Sequence, residues 1–201
     1  MKIILASESK RRKDLLKLLN FDFITIAANI DESKIFNLNL KPEEACTELA
    51  FLKAKKVSLK NNDKIVIGGD TIVLVGNEVL GKPNDKVSAF KMLNKLSNKT
   101  HEVITGISIQ YKNKDIVSNF HEKTYVTFNK LNNDDINYYI NNYHPYDKAG
   151  SYGIQDWSSI FVKKIEGCFY NVVGFPISKF YFNFKKLELN KFIKTFWTIK
   201  K

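Results

Sequence analysis

Ile3-Ile4-Leu5-Ala6-Ser7-Glu8-Ser9-Lys10-Arg11-Arg12 runs from an apolar tetrapeptide straight into a hydroxyl-rich, basic loop, and Leu15, Leu16, Leu18 and Leu19 follow. That order predicts a strand, a loop and the start of a helix. A helix N-terminus offers free backbone N–H groups and the positive end of the helix dipole, and both favour an anion. Two serine hydroxyls and two guanidinium forks at that point suit phosphate oxygens. Arginine usage sharpens the reading. The chain has 32 Lys and Arg residues, yet Arg11 and Arg12 are its only arginines. The bland alternative is a solvated helix start.

Further along, Phe21 to Ile26 alternates as a second strand, and Asp31-Glu32-Ser33 forms a small acidic loop. Pro42 stands where a helix begins, with Glu43 and Glu44 in its first turn and Ala45, Leu49 and Leu52 at helical spacing. Lys53, Lys55 and Lys56 lie toward its end, either solvated or, for one of them, within reach of a phosphate. Ile65-Val66-Ile67 reads as a buried strand ending in Gly68-Gly69-Asp70-Thr71, and Ile72-Val73-Leu74-Val75 follows at once. Paired glycines allow a bulge or the close approach of another group. A carboxylate between two apolar runs is costly unless it is paired, hydrogen-bonded or bound to a metal. Asp70 is therefore a functional candidate, with a structural buried aspartate as the alternative.

Gly76-Asn77 turns a hairpin into Glu78-Val79-Leu80. In Gly81-Lys82-Pro83-Asn84-Asp85, Asp85 is placed to cap a helix over Val87 to Leu96, while Lys82 has no evident structural duty. His101 to Tyr111 and Val117 to Phe128 predict a long hairpin, and Asn133, Asp134 and Asp135 open a short helix through Ile140. Asp147 to Gln155 is a second glycine-punctuated polar loop. Ile160-Phe161-Val162 and Tyr170-Asn171-Val172-Val173 read as strands. Pro176 starts a last main helix with Phe180 and Phe184 on its apolar face, and a basic, partly aromatic helix or tail begins at about residue 185.

With 201 residues and 44% apolar content the chain can bury a full core, as one large domain or two small lobes. The net charge of +11 points to an acidic partner. Six lysines in the last 17 residues make part of that charge a property of the tail. No apolar stretch approaches the length of a membrane span, and no signal peptide is evident. Cys46 and Cys168 are too few for a disulfide framework and read as buried thiols of a cytoplasmic protein. With His101, His121 and His144 they show no metal-ligand spacing, which argues against zinc.

Taken together these loops resemble the Maf family of nucleoside triphosphate pyrophosphatases. The resemblance rests on Leu5-Ala6-Ser7-Glu8-Ser9-Lys10-Arg11-Arg12, Asp31-Glu32, Lys53-Ala54, Gly69-Asp70-Thr71, Gly81-Lys82-Pro83, His101-Glu102-Val103-Ile104-Thr105-Gly106, Asp147 to Gln155 and Asn171-Val172-Val173-Gly174-Phe175-Pro176. The segments occur in the family's order and span nearly the whole chain. Lys10 stands where a proline is usual, Gly69 where alanine is usual and Phe175 where leucine is usual.

The resemblance implies an elongated, two-lobed α/β fold with a central mixed sheet flanked by helices and a cleft between lobes, in one domain over residues 1–201. It also implies a homodimer. The implied reaction cleaves a nucleoside triphosphate between its α and β phosphates. Asp70 would be the general base. Ser7, Arg11, Arg12, Glu32, Lys53 and Lys82 would bind substrate, and Glu32 and Asp70 would hold a divalent metal, Mg²⁺ or Mn²⁺. Arg11, Thr71 and Gln155 stand at the positions that divide the family by substrate, and they match the group acting on dTTP and UTP rather than on 7-methyl-GTP. The competing expectation is a nucleic-acid-binding or septation-regulating interaction protein, with the positive charge as its footprint. Polymer binding alone requires neither a buried Asp70 nor two arginines in one hydroxyl loop.

Overall fold

The computed structural model describes residues 3–32 and 40–189. Strand β1 (Ile3–Ala6) is buried throughout and leads into helix α1 (Lys10–Lys17). The Ser9 side chain caps that helix by accepting from the Arg12 N–H at 3.3 Å. The helix therefore starts at Lys10 without the proline usual there. Leu15 and Leu16 are its buried residues, while Lys10, Lys13, Asp14 and Lys17 stay exposed. Strand β2 (Phe23–Thr25) is shorter than the sequence suggests and lies parallel to β1, with Ile3 opposite Phe23.

Helix α2 (Pro42–Ser58) follows, and then strand β3 (Ile65–Val75). The sequence suggested a strand ending at Asp70, but β3 runs without a break through Gly68, Gly69 and Asp70. Its first half pairs in parallel with β1, from Ile3–Ile65 to Ala6–Gly68. The parallel ladder accounts for the first apolar run, since a parallel sheet is buried on both faces. Its second half pairs antiparallel with β4 (Glu78–Leu80) across the Gly76-Asn77 turn. The chain continues through α3 (Lys86–Leu96), capped by Asp85, and the hairpin β5 (Thr100–Tyr111) and β6 (Ile116–Phe128). After it come α4 (Asn133–Tyr143), β7 (Val162–Glu166), the short α5 (Phe169–Val173) and α6 (Ile177–Lys186). The mixed sheet has the order β2-β1-β3-β5-β6-β7, with β4 off the path beside β3. Among the described residues no helix is long and apolar enough to cross a membrane.

Two expected strands are corrected. Trp157–Phe161 is 3-10 helix, and β7 starts only at Val162. Tyr170–Val173 belongs to α5, although its valines favour a strand. The cause is tertiary. Asn171 is fully buried and its Nδ2 donates to the Val103 carbonyl at 2.9 Å and the Thr124 hydroxyl at 3.0 Å, which a single helical turn allows. The expected basic tail lies outside the described residues from 190 onward.

The chain forms two compact units. The first is drawn from the described parts of 1–70, 105–122 and 174–201, and the second from 71–104 and 123–173. In the first, Ile4, Ala6, Ala28, Ala54, Val57 and Val66 make one core cluster. Phe180 and Phe184 of α6 pack on Phe21 with ring centroids 6.4 and 5.3 Å away. In the second, His101, Phe128, Tyr152 and Phe161 form a buried group of rings, with the His101–Phe128 centroids 4.9 Å apart and edge to face.

Candidate active site

Helix α2 carries Lys53, and how closely that helix lies on the sheet decides where the lysine reaches. Cys46, Ala50 and Ala54 recur every four residues along one stripe of α2 and are fully buried. Gly68 on β3 and Gly106 on β5 face that stripe. A Cβ on Gly68 would fall 2.1 Å from the Ala50 carbonyl oxygen, and one on Gly106 would fall 2.4 Å from the Cys46 carbonyl oxygen. Only glycine permits such backbone-to-backbone seating.

So seated, α2 brings the Lys53 ammonium to 2.5 Å from Asp70 Oδ1 and 2.7 Å from Glu32 Oε1. The Asp70 side chain is 12% exposed, Lys53 15% and Glu32 47%, so the bridge opens to solvent on the Glu32 side. Burial works against the charge on Lys53. Asp70 and then Glu32 outweigh it, by attraction and hydrogen bonding, and lift Lys53 above the usual lysine value. The ammonium is thus fixed as a cation between two carboxylates.

Beneath Asp70, the Cys46 thiol donates to the Asp70 backbone carbonyl at 3.3 Å and accepts from the Gly106 N–H at 3.1 Å. Burial first, and then the Asp70 charge, push this thiol well above the usual cysteine value, so it remains protonated and able to donate.

From the other side, Arg12 donates through Nε to the Gly174 carbonyl at 3.0 Å, and its Nη1 lies 3.4 Å from Ser7 Oγ. The Ser7 hydroxyl also accepts from the Ser9 N–H at 3.2 Å. Burial draws the Arg12 guanidinium below its usual value, opposed chiefly by the nearby Asp70. A methyl at Gly69, where the family usually has alanine, would sit 3.1 Å from Arg12 Nε. Glycine here gives the guanidinium room beside Asp70. Arg11 is half-buried next to it at the start of α1.

The first unit therefore gathers Ser7, Arg12, Glu32, Lys53 and Asp70 from four segments of sequence. Thr71, Lys82 and Gln155 belong to the second unit. There Thr71 is half-buried on β3, and Lys82 and Gln155 are exposed in loops. Those two loops meet, because the Gly150 N–H donates to the Gly81 carbonyl at 3.0 Å. Gly150 has φ +68, and a Cβ there would press on both Val73 methyls at 3.1 Å. Cys46 and Gly106 were not singled out from the sequence as parts of the site's support. The four-residue spacing of Cys46, Ala50 and Ala54, set against Gly68 and Gly106, is the signal that would have found them.

As to a metal, Glu32 and Asp70 are two carboxylates with oxygens converging on one point, and among the described residues no three Asp, Glu, His or Cys side chains cluster further. Mg²⁺ takes one or two carboxylates and fills its octahedron with phosphate oxygens and water, so this pair fits such an ion. Lys53 stands between the same two carboxylates and would compete with it.

A mixed sheet flanked by helices, a lysine-bridged carboxylate pair and an arginine-bearing helix start define the class of this α/β protein. The chain belongs to the Maf family: the pattern of Maf-like proteins matches residues 2–187. It is 49% identical over 180 residues to the dTTP/UTP pyrophosphatase of Thermosipho africanus, covering 89% of this chain and 90% of that one. It is 48% identical to the enzyme of the same name from Bacillus velezensis, over 89% and 92% of the two chains. With the Bacillus anthracis protein of that name it shares 44% identity, over 94% and 97%. Among solved structures, a HAM1 protein from Coxiella burnetii aligns with a TM-score of 0.37 at 11% identity, over 64% of this chain and 73% of that one.

Proposed function

We propose that this chain is a nucleoside triphosphate pyrophosphatase that hydrolyses dTTP and UTP by preference, releasing the nucleoside monophosphate and pyrophosphate. The names of its relatives support the reaction. The observation that carries the reading at the level of residues is the Lys53 ammonium held between Asp70 and Glu32, beside Arg12 and Ser7.

The reaction needs a positioned, deprotonated water, a neutralised triphosphate and a stabilised pyrophosphate leaving group. Asp70 takes the proton from the attacking water. Its place inside a long strand, braced from below by Cys46, keeps it from swinging away. Attack of that water on the α phosphorus breaks the bond to the bridging oxygen, and the electron pair leaves with pyrophosphate. Lys53, Arg11 and Arg12 neutralise the developing charge, Ser7 donates to a phosphate oxygen, and Lys82 joins them by family resemblance alone. A Mg²⁺ or Mn²⁺ ion on Glu32 and Asp70 would add charge neutralisation and acidify a bound water.

Gln155 reads the base. Its amide has a donor and an acceptor, matching the mixed carbonyl and N–H edge of uracil and thymine. Thr71 is small and leaves room beside Asp70, and Arg11 offers no aromatic face for a methylated purine. We further infer, from family resemblance, one functional domain over the chain and a homodimer. The nucleotide substrate and the two free cysteines suit the cytoplasm.

The test is side-by-side release of pyrophosphate from dTTP, UTP, CTP and 7-methyl-GTP with Mg²⁺ or Mn²⁺. Turnover of dTTP and UTP should be similar, because one buried methyl is worth only about 1 kcal/mol, and CTP should be poorer. A clear preference for 7-methyl-GTP would reject the roles of Arg11, Thr71 and Gln155. No pyrophosphate from any of the four would reject the reaction.

A further inference from the structure

Gln155 is exposed, yet the residues around it are held more firmly than an exposed loop requires. Tyr139 of α4 is fully buried, and its hydroxyl is committed to this loop. It accepts from the Gly153 N–H at 3.2 Å and donates to Asp156 Oδ2 at 3.2 Å. Ser158, also fully buried, has its hydroxyl 3.0 Å from the Gly153 carbonyl and 2.8 Å from Asp156 Oδ1. It accepts from the Gly153 N–H as well, at 3.1 Å. The Asp156 N–H donates back to the Gly153 carbonyl at 2.9 Å, and the Asp156 carboxylate receives the Ser158 N–H at 3.0 Å. Gly153 lets the turn close, since a Cβ there would meet Asp156 Oδ2 at 2.7 Å and Lys148 Cε at 2.8 Å. Ile154, between the two anchors, is 4% exposed.

Two buried hydroxyls thus fix both residues that bracket Ile154-Gln155. A polar group in a core costs free energy unless it is hydrogen-bonded, and here both are spent on one short turn. The rings that place Tyr139 are equally fixed, with Trp157 stacked 6.2 Å away and Phe161 edge-on at 5.6 Å.

We propose that Tyr139 and Ser158 are positioning residues for base selection: they brace the Gly153–Asp156 turn so that Gln155 meets the pyrimidine edge already in its reading orientation. This rests on Gln155 reading the base, as proposed above. A side chain that is preorganised pays less ordering entropy on binding, and a hydrogen bond made only to the matching edge then discriminates fully. With the brace loosened, Gln155 can swivel its amide and serve uracil and cytosine alike.

The experiment compares kcat/KM for UTP and CTP in the full chain and in Tyr139→Phe, Ser158→Ala, Gln155→Ala and the double variant Ser158→Ala/Gln155→Ala. Tyr139→Phe keeps the ring and its packing. The UTP-to-CTP ratio is taken on one preparation, so a general loss of folded protein cancels from it. Losing one discriminating hydrogen bond is worth roughly tenfold, so each single variant should lower the ratio by about that factor, mainly through KM for UTP. In the double variant Ser158→Ala should add nothing further, because Gln155 is already gone. An unchanged ratio in both Tyr139→Phe and Ser158→Ala, with a lowered ratio in Gln155→Ala, overturns the brace and leaves base reading intact. An unchanged ratio in Gln155→Ala overturns base reading and the brace with it.

Discussion

At the scale of single residues, the site turns on one lysine shared by two carboxylates. Asp70 is 12% exposed at its side chain, so its negative charge needs a partner, and Lys53 at 2.5 Å supplies it. Glu32 shares the same ammonium from the solvent side. Replacing Asp70 by Asn keeps the shape and the strand while removing the basic oxygen, and it leaves Lys53 paired with Glu32. Pyrophosphate release by Asp70→Asn should therefore fall by roughly 10²–10⁴-fold while its melting temperature stays close to that of the parent chain. A variant that melts normally and turns over UTP at near-parent rates would remove Asp70 from the base role. The carboxylate itself was legible in the sequence, because an acidic residue between Ile65-Val66-Ile67 and Ile72-Val73-Leu74-Val75 demands a reason. Its partner was less so. The residue pattern alone left Lys53 as one of three neighbouring lysines, set apart only by the Lys53-Ala54 segment of the family resemblance; in the structure the direction in which α2 faces separates it from Lys55 and Lys56, which are exposed.

At the scale of elements, the distance between Lys53 and Asp70 is set by two glycines beneath the helix. Gly106→Ala would put a methyl 2.4 Å from the Cys46 carbonyl oxygen, a backbone atom that can yield only if α2 moves. The expected cost is about 1–3 kcal/mol of stability from overpacking. It comes with a loss of UTP turnover on the order of 10²-fold in the protein that remains folded, because a helix displaced by an ångström carries Lys53 away from Asp70. Gly81→Ala, where a methyl meets nothing within 4 Å, is the control for stability and should melt like the parent. Chemical denaturation of both variants and turnover well below their melting points decide it; a Gly106→Ala protein as stable and active as the parent would mean that the close seating does not set the site. Long periodic elements such as α2, β5 and β6 were readable from sequence because their patterns repeat over ten residues or more. The short segment around Asn171 was not. Five residues with two valines match a strand, and what makes them a helical turn is a buried amide reaching Val103 and Thr124, some 68 and 47 positions away in the chain. The seating of α2 was half-readable for the same reason: Gly68-Gly69 announced a close approach, but not which helix approaches.

At the scale of the whole molecule, the net charge of +11 and the composition look like a nucleic-acid footprint. The structure instead sets several lysines against acidic neighbours, among them Lys95 with Glu78, Lys123 with Glu102 and Lys179 with Glu122. Such solvent-accessible pairs are worth little each, and they spread the charge rather than concentrate it. A residue the proposed chemistry does not use also contributes to the response to pH. His101 is 1% exposed, its Nε2 lies 2.8 Å from the Tyr152 hydroxyl, and its Nδ1 has no hydrogen-bond partner among the described residues. Burial lowers its pKa from 6.5 to about 4. The folded state therefore keeps His101 neutral over a range where the unfolded chain binds a proton. With the unfolded state holding more protons, stability rises with pH through that range. The contribution is complete above about pH 6.5 and is lost progressively toward pH 4. Melting temperatures measured from pH 7.5 to pH 4.5 should fall steeply below pH 6.5, and His101→Gln, which cannot take up a proton, should flatten that part of the curve even if it lowers stability at neutral pH. An equal slope in parent and variant would show that His101 is not the group whose protonation unfolds the chain.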